Sequence, residues 1–380
     1  MKTNKMTIAV LGGGNGAFAT AAHLALEGFR VNMYEVPELE ENIAPVRERG
    51  GIEFKHRDIP GLPSGFARLN VVSTDPSKVL ADAEVVWLVI PSFGQKRFAE
   101  TCAPYLKPEQ IIVLTPGNFG GAIEFASVLK DKGLKELPKL VEAECMIYFA
   151  LKDSPAGIFV GGFKRGMAVA AFPGTDTPKV LPRLRECYPT LVGVGSVLET
   201  ALRNGNLVVH APIMLLNTGR VESKEGFVFY HEGCTPSVGK IVEAVDGERV
   251  AVGKGLGLRL PTEYDVDVKW YGYQGAGGKN LTELLSTNPA YTGRPAPRTM
   301  NHRFLTEDIP YGMVPVESLG VKVSVPTPII SSLINIANEM LGVDLRKEAR
   351  DLKKLGLDGL SIEQLKEYVG QWEGEPEAYY

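Results

Sequence analysis

Apolar positions in the first half of the chain come as short continuous runs alternating with helical patterns, the order that a doubly wound, mostly parallel sheet requires. Residues 6–11 predict a first strand, and residues 17–27, rich in alanine and closed by Gly28, predict the helix that follows it. A second strand over residues 30–34 ends at Glu35. The run at 85–90 is apolar throughout and stops at Pro91, as expected of a strand buried on both faces. Residues 111–114, 141–146 and 167–172 are further strand candidates, and residues 173–178 read as a loop before an amphipathic stretch at 178–186. Beyond about residue 195 strand-like runs become scarce, and helical periodicity dominates residues 240–256 and 328–341. Ser361-Ile-Glu-Gln364 has the form of a capping box, with Leu360 and Leu365 spaced for a hydrophobic staple. The expected architecture is an α/β N-terminal domain over residues 1–195 and a mainly α-helical C-terminal domain over residues 196–380.

The first strand runs into Gly12-Gly13-Gly14-Asn15-Gly16-Ala17. Glycines that follow a strand and open a helix are the fingerprint of a dinucleotide-binding (Rossmann) domain. Gly12 suits the tight turn, Gly14 allows backbone to approach a pyrophosphate, and Ala17 takes the third small position, where helix and strand pack closely. The helix N-terminus then offers free N–H groups and a partial positive charge to the phosphates. Glu35, at the end of the second strand, is placed to accept hydrogen bonds from the ribose hydroxyls of NAD and to repel a 2′-phosphate. A solvated strand-end glutamate is the alternative, and Arg30 and Arg47 leave NADP open. Pro91 and Pro116 lie at strand C-terminal ends, where ligands bind in such sheets, and are candidates for the cofactor site or simply for turns.

Composition narrows the class without naming it. A chain of 380 residues is long for one core. Its net charge of −4, with no basic stripe, argues against a nucleic-acid partner. Cys102, Cys145, Cys187 and Cys234 are widely spaced, which suits reduced thiols better than a disulfide framework. No targeting segment is visible, and the longest apolar run is too short to span a bilayer. These features predict a soluble cytoplasmic protein.

Candidate chemistry sits in the second half. His210 lies between apolar residues 207–209 and 211–216, so it needs a hydrogen-bond partner. Two readings are open: a satisfied core histidine, which these surroundings alone favour, and an acid/base group. Asn206 could cap a helix or orient a ligand, Asn217 could line a cleft or satisfy backbone, and Thr235 stands at a plausible helix start. Asp246, Glu248 and Arg249 read as a solvated or structural charge cluster. His231 and Cys234 are closely spaced but have no second pair, so no zinc site is expected.

Taken with the N-terminal glycines, several segments resemble the octopine and opine dehydrogenase family. They are Asn206-xxx-His210 with Leu215-Leu-Asn217, Phe229-Tyr-His-Glu-Gly233 with Thr235-Pro-Ser-Val238, Asp246-Gly-Glu-Arg249, and Arg303-xxxx-Asp308-Ile-Pro-Tyr-Gly312. One departure is visible: Ala211 separates the histidine from Pro212, where a proline directly after the histidine is common in the family. The resemblance implies reductive joining of a 2-oxo acid to an amino acid or other amine with NAD(P)H, giving an N-(carboxyalkyl)amino acid by imine reduction. It implies His210 as the acid/base, Asp308 as its charge partner and Arg303 as the group that binds the oxo-acid carboxylate. Asn206, Asn217 and Thr235 are further candidates to contact substrate. A structural ion pair between Arg303 and Asp308 is the plain alternative. The rival functions are a glycerol-phosphate, hydroxy-acid or ketopantoate type dehydrogenase, and a non-catalytic NAD sensor. Oligomeric state is left open.

Overall fold

In the computed structural model, which describes residues 5–223 and 225–378, the chain divides into two compact units. One comprises Met1–Gly117 with Gly121–Gly193, and the other Asn118–Gly120 with Val194–Tyr380. The strands lie in the first unit and run in chain order as β1 (Thr7–Leu11), β2 (Arg30–Tyr34), β3 (Gly51–His56), β4 (Gly65–Arg68), β5 (Val71–Ser73), β6 (Val85–Leu88), β7 (Ile111–Leu114), β8 (Lys139–Ala143), β9 (Tyr148–Ser154), β10 (Gly157–Phe163), β11 (Ala168–Phe172) and β12 (Val192–Gly193).

Among the described residues these strands form an eight-stranded sheet, ordered β12-β11-β8-β7-β6-β1-β2-β5, and a four-stranded sheet, ordered β4-β3-β10-β9. The large sheet is parallel except where β11 pairs antiparallel to β8. Strands β1, β6 and β7 carry Ile8, Val10, Val86, Trp87, Ile112 and Val113, all fully buried. Burial on both faces explains why their sequences are apolar throughout rather than alternating. The strand order reverses across β1, with β6 on one side and β2 on the other, and such a reversal is where doubly wound sheets bind their ligands.

The predicted strands at 85–90 and 141–146 are observed as Val85–Leu88 and Lys139–Ala143. The predicted helix at 17–27 starts earlier and spans Asn15–Leu26. The second sheet was not expected. It packs against the Asn15–Leu26 helix.

The second unit is helical. Asn206–Leu216 packs on the long helix Pro236–Gly255, and Arg303–Thr306 and the π-helical turn Ile309–Met313 also lie against Asn206–Leu216. The expected Asp246–Arg249 cluster is structural, and it is buried rather than solvated. Arg249 donates from Nε (2.9 Å) and Nη2 (2.5 Å) to Asp246 Oδ1, and to the carbonyls of Leu202 (2.7 Å) and Pro261 (2.8 Å). Asp246 Oδ2 accepts from the Glu263 N–H. Glu248 accepts the N–H groups of Ile329 and Ile330 at the start of the Pro328–Leu341 helix. The capping box at Ser361 forms as expected, with Ser361 and Gln364 each taking the other's backbone N–H. No helix of the described residues is long and apolar enough to cross a membrane.

Candidate active site

In the first unit the glycines are shaped by what stands around them. Gly12 has φ +122°, and a Cβ there would lie 2.5 Å from the Val89 carbonyl oxygen. A Cβ on Gly13 would lie 2.8 Å from Glu35 Oε2, and one on Gly16 would collide with the Met146 side chain. Gly14 differs: a Cβ there would meet nothing within 4 Å. It is the N-cap of the Asn15–Leu26 helix. The turn is therefore closed by protein on three sides and open at the residue where a pyrophosphate would approach the helix N-terminus. The pattern fits a dinucleotide.

Glu35 is 4% exposed, so it is not a solvated strand end. It accepts the Val36 N–H at 2.8 Å and also takes hydrogen bonds from the Gly13 backbone and the Asn42 side chain. Burial still holds its carboxyl above the ordinary carboxylate range. Asn15 is partly committed to structure, since its side-chain oxygen accepts the Lys152 N–H at 3.0 Å. Ala17 is fully buried. Of the two arginines that left NADP open, Arg30 is exposed and Arg47 pairs with Glu40 at 2.6 Å. Pro91 is the N-cap of the Ser92–Cys102 helix, and the Pro116 carbonyl accepts from Gln95 Nε2 at 2.9 Å.

In the second unit His210 sits within the Asn206–Leu216 helix, which runs unbroken through Ala211 and Pro212. Its Nδ1 lies 2.7 Å from Asp308 Oδ2, and its Nε2 lies 2.8 Å from the Tyr230 hydroxyl. Phe304 stacks on the imidazole at 3.8 Å and 17°. Gly312 is what lets the Asp308 segment approach so closely. It belongs to the turn that follows Asp308, and a Cβ there would lie 2.8 Å from Leu207 Cβ, one turn before His210 on the same helix. A π-helical turn next to a functional side chain is a frequent arrangement.

Burial dominates the electrostatics of this cluster. Asp308 is 4% exposed, and desolvation pushes its carboxyl up to about 7 against a smaller downward pull from Arg303. His302, beside it in sequence to Arg303, is pushed down to about 4 by burial first and then by Arg303, His210 and Arg294. It is a neutral side chain that caps the Arg303–Thr306 helix, not a second acid.

The expected alternative of an Arg303–Asp308 ion pair is not what forms. Arg303 Nε faces Glu307 Oε2 at 3.4 Å, while Asp308 turns to the imidazole. Arg303 keeps a side chain 39% exposed. Asn206 does not cap its helix: Gly205 holds that position, and the Asn206 N–H donates to Asn204 Oδ1. Asn217, expected among substrate contacts, uses its amide N–H groups on the carbonyls of Ile213 (2.8 Å) and Gly233 (3.0 Å). Those bonds tie the end of one helix to the end of another, and we assign it a structural role. Thr235 stands at the exposed start of the Pro236–Gly255 helix, without a side-chain capping bond and without a link to the His210 cluster.

Sequence reading missed three members of the cluster. Tyr230 is in the Phe229-Tyr-His-Glu-Gly233 segment but had been given no role. Glu307, beside Asp308, was likewise given no role. Arg294 stands in a loop, yet it is close enough to Tyr230 and Arg303 to interact electrostatically with both.

Comparison with known proteins decides the family. Residues 193–341 match the model for the NAD/NADP octopine/nopaline dehydrogenase alpha-helical domain, and residues 7–121 match that for the NAD-dependent glycerol-3-phosphate dehydrogenase N-terminus. The opine dehydrogenase of Arthrobacter sp. (strain 1C) is 36% identical over 363 residues, covering 96% of this chain and 98% of that protein. The chain belongs to the opine dehydrogenase family. The opine dehydrogenase of Haliotis discus hannai is 27% identical, over 90% of this chain and 92% of that one. Among solved structures, octopine dehydrogenase in complex with NADH and agmatine superimposes with a TM-score of 0.75 at 22% identity, over 97% of this chain and 99% of that one. NADP+-bound yersinopine dehydrogenase gives 0.66 at 12% identity, over 97% and 98%. The structure of 2-dehydropantoate 2-reductase from Methylococcus capsulatus gives 0.59 at 15% identity, over 90% and 97%. The last likeness shows that the rival dehydrogenases share the fold. This opine dehydrogenase family member is an NAD(P)-dependent oxidoreductase of the CH–NH class, which reductively condenses a 2-oxo acid with an amino acid.

Proposed function

We propose that His210 is the acid/base of this condensation, that Asp308 fixes and charges it, and that Arg303 binds the carboxylate of the oxo acid. The 2.7 Å contact between His210 Nδ1 and Asp308 carries the reading. A carboxylate there selects the tautomer with the proton on Nδ1, leaves the Nε2 lone pair for proton exchange, and stabilises the imidazolium that results. In the forward direction the substrate ammonium loses a proton toward His210, and the freed amine adds to the oxo carbon while one of its remaining N–H protons passes to the oxo oxygen. The proton held at His210 then assists departure of that hydroxyl as water, leaving an iminium. Bound nicotinamide supplies the hydride that reduces the C=N carbon.

Arg303 offers a guanidinium whose planar donors match a carboxylate, and Glu307 behind Nε steers it. Gly12, Gly13, Gly14, Gly16 and Glu35 would hold the cofactor on residues 1–195, with the acid/base work on residues 196–380. A buried acid at position 35, and no cation committed beside it from Arg30 or Arg47, supports NAD over NADP. The four cysteines are buried free thiols, which supports a reducing, cytoplasmic setting.

The test is NADH oxidation with pyruvate or glyoxylate against a panel of amino acids. Activity should require both partners. With the best pair, His210→Ala should lower kcat by roughly 10²–10⁴ and leave NADH affinity unchanged. Near-normal turnover in that variant, or oxidation with the oxo acid alone, would overturn the reading.

A further inference from the structure

A cation reaches the glycine turn of the first unit from the second sheet. Lys152 stands on β9, in the four-stranded sheet that packs on the Asn15–Leu26 helix. Its backbone N–H donates to Asn15 Oδ1 at 3.0 Å, which ties the strand to the first residue of that helix. Its half-buried side chain lies among the residues of the turn. Nζ is 3.6 Å from the centroid of the Phe18 ring and 3.4 Å from the Asn42 carbonyl oxygen. Phe18 is one helical turn beyond Gly14, with its N–H on the Gly14 carbonyl at 3.0 Å. Asn42 stands against Gly13 and donates from its side chain to the Glu35 carboxylate.

Other charges of this region are paired with one another. Arg47 meets Glu40 at 2.6 Å, Arg97 meets Glu38 at 2.6 Å, and Lys55 meets Asp153, the residue after Lys152, at 3.0 Å. Lys152 interacts electrostatically with Glu35. Burial pushes its ammonium down to about 8, and Glu35 pulls it the other way. An ammonium has three N–H donors, and one long bond to a carbonyl beside an aromatic face does not saturate them. The fold therefore holds a partly desolvated cation whose charged form a further anion would stabilise. Glu35 is the group placed to take the ribose hydroxyls of a dinucleotide. A cation within the field of Glu35 also faces the ribose edge that Glu35 would hold.

We propose that Lys152 binds the adenosine ribose edge of the cofactor and accepts a 2′-phosphate there, so that this chain binds NADPH as well as NADH. The proposal rests on the reading of the glycine turn and Glu35 as the cofactor site and deepens it. Glu35 alone would favour the free hydroxyls and repel a 2′-phosphate. Lys152 supplies the opposing charge that Arg30 and Arg47 do not. A lysine suits a site that must take either ligand. Its ammonium is a point charge on a flexible stem, and it can turn from the Asn42 carbonyl to a phosphate oxygen without the fixed fork that a guanidinium imposes.

The experiment is equilibrium binding, with no turnover required. Wild type, Lys152→Met, Lys152→Gln and Arg47→Met are each titrated by calorimetry with NADH and NADPH, and with the fragments AMP and adenosine 2′,5′-bisphosphate. Methionine keeps an unbranched stem against Phe18, and glutamine keeps a neutral donor. The NADPH to NADH ratio of Kd within one variant does not depend on how much of that variant is folded. Wild type should bind both dinucleotides. Both Lys152 variants should raise the NADPH to NADH ratio, and the bisphosphate to AMP ratio, by roughly tenfold or more, as expected for loss of a hydrogen bond between charged groups. Arg47→Met should leave both ratios where they are. Ratios unmoved by the Lys152 variants, ratios moved by Arg47→Met in their place, or a wild type that binds NADH and not NADPH would overturn the proposal. A wild type that binds neither dinucleotide would overturn the cofactor site beneath it.

Discussion

Replacing Asp308 with asparagine removes a charge and little else, and the structure predicts opposite effects on stability and on turnover. Burial raises the carboxyl from its ordinary 3.8 to about 7. At about 1.4 kcal/mol per pH unit, holding the ionised carboxylate in the fold costs about 4 kcal/mol. The sign follows from linkage. Below pH 4 the group is protonated in both folded and unfolded chains and contributes nothing. As the pH rises from about 4 to 7 the unfolded chain releases the proton and the folded chain keeps it, so stability is lost across that window. Above 7 the loss is complete. Asp308→Asn is neutral throughout, so its advantage should be absent near pH 4 and grow to a ceiling of about 4 kcal/mol by pH 8, roughly 5–10 °C in melting temperature. Its turnover should fall by roughly 10²–10⁴, because an amide can offer Nδ1 a donor and select the wrong tautomer. Melting curves from pH 4 to 9 with steady-state rates at pH 8 measure both. A variant no more stable than wild type at pH 8 would refute the assigned burial cost. Undiminished kcat would refute the role of the carboxylate.

Three further predictions concern the first unit. Gly12→Ala, at φ +122° and with Val89 O 2.5 Å from the new Cβ, should destabilise the protein by roughly 2 kcal/mol or more and weaken NADH binding. Gly14→Ala meets nothing within 4 Å, so its melting temperature should hold while its NADH affinity falls at least tenfold; equal affinities by fluorescence titration would remove Gly14 from the phosphate site. His23 is buried against Tyr148 at 2.6 Å, and burial lowers it from 6.5 to about 4. As pH falls from 6.5 to 4 the unfolded chain takes up a proton that the folded chain refuses, so about 3 kcal/mol of stability is lost. His23→Phe should flatten that part of the urea midpoint against pH curve, and an unchanged slope would assign the acid sensitivity elsewhere.

The parallel sheet was legible because its central strands are buried on both faces and so read as unbroken apolar runs bounded by Gly12, Pro91 and Pro116. The four-stranded sheet was not. In β3 the residues Glu53, Lys55 and His56 interrupt the apolar pattern, and β9 ends in Lys152-Asp153-Ser154. Its decisive pairing joins β10 to β3, about a hundred residues apart. Register breaks in the β9–β10 hairpin blur the alternation further. The site shows the same division. Residue types and motif resemblance pointed to His210, Arg303 and Asp308 as candidates. That Asp308 turns to His210 while Glu307 takes Arg303 depends on a π-helical turn and on Gly312 packing against Leu207, and neither has a periodicity to read. Tyr230 was hidden by company, one aromatic among Phe229 and His231.

Two buried ionic pairs in the helical unit show why burial and charge alone did not separate structure from chemistry. Arg249 and Asp246 are as deeply buried as His210 and Asp308. Yet Arg249 spends its donors on Asp246 and two carbonyls, and the second oxygen of Asp246 takes a backbone N–H. A fully hydrogen-bonded pair of opposite charges has nothing left to exchange, and it ties the segments around Leu202 and Pro261 to one helix. Asp308 has been brought into the same low dielectric against a titratable imidazole, with its carboxyl raised to about 7. A carboxylate and an imidazole can each take up and release a proton, and an arginine, which stays charged, cannot. The distinction also explains why Asp308→Asn should gain stability and lose turnover together: the buried charge that asparagine removes is the charge that orients and supports the imidazole.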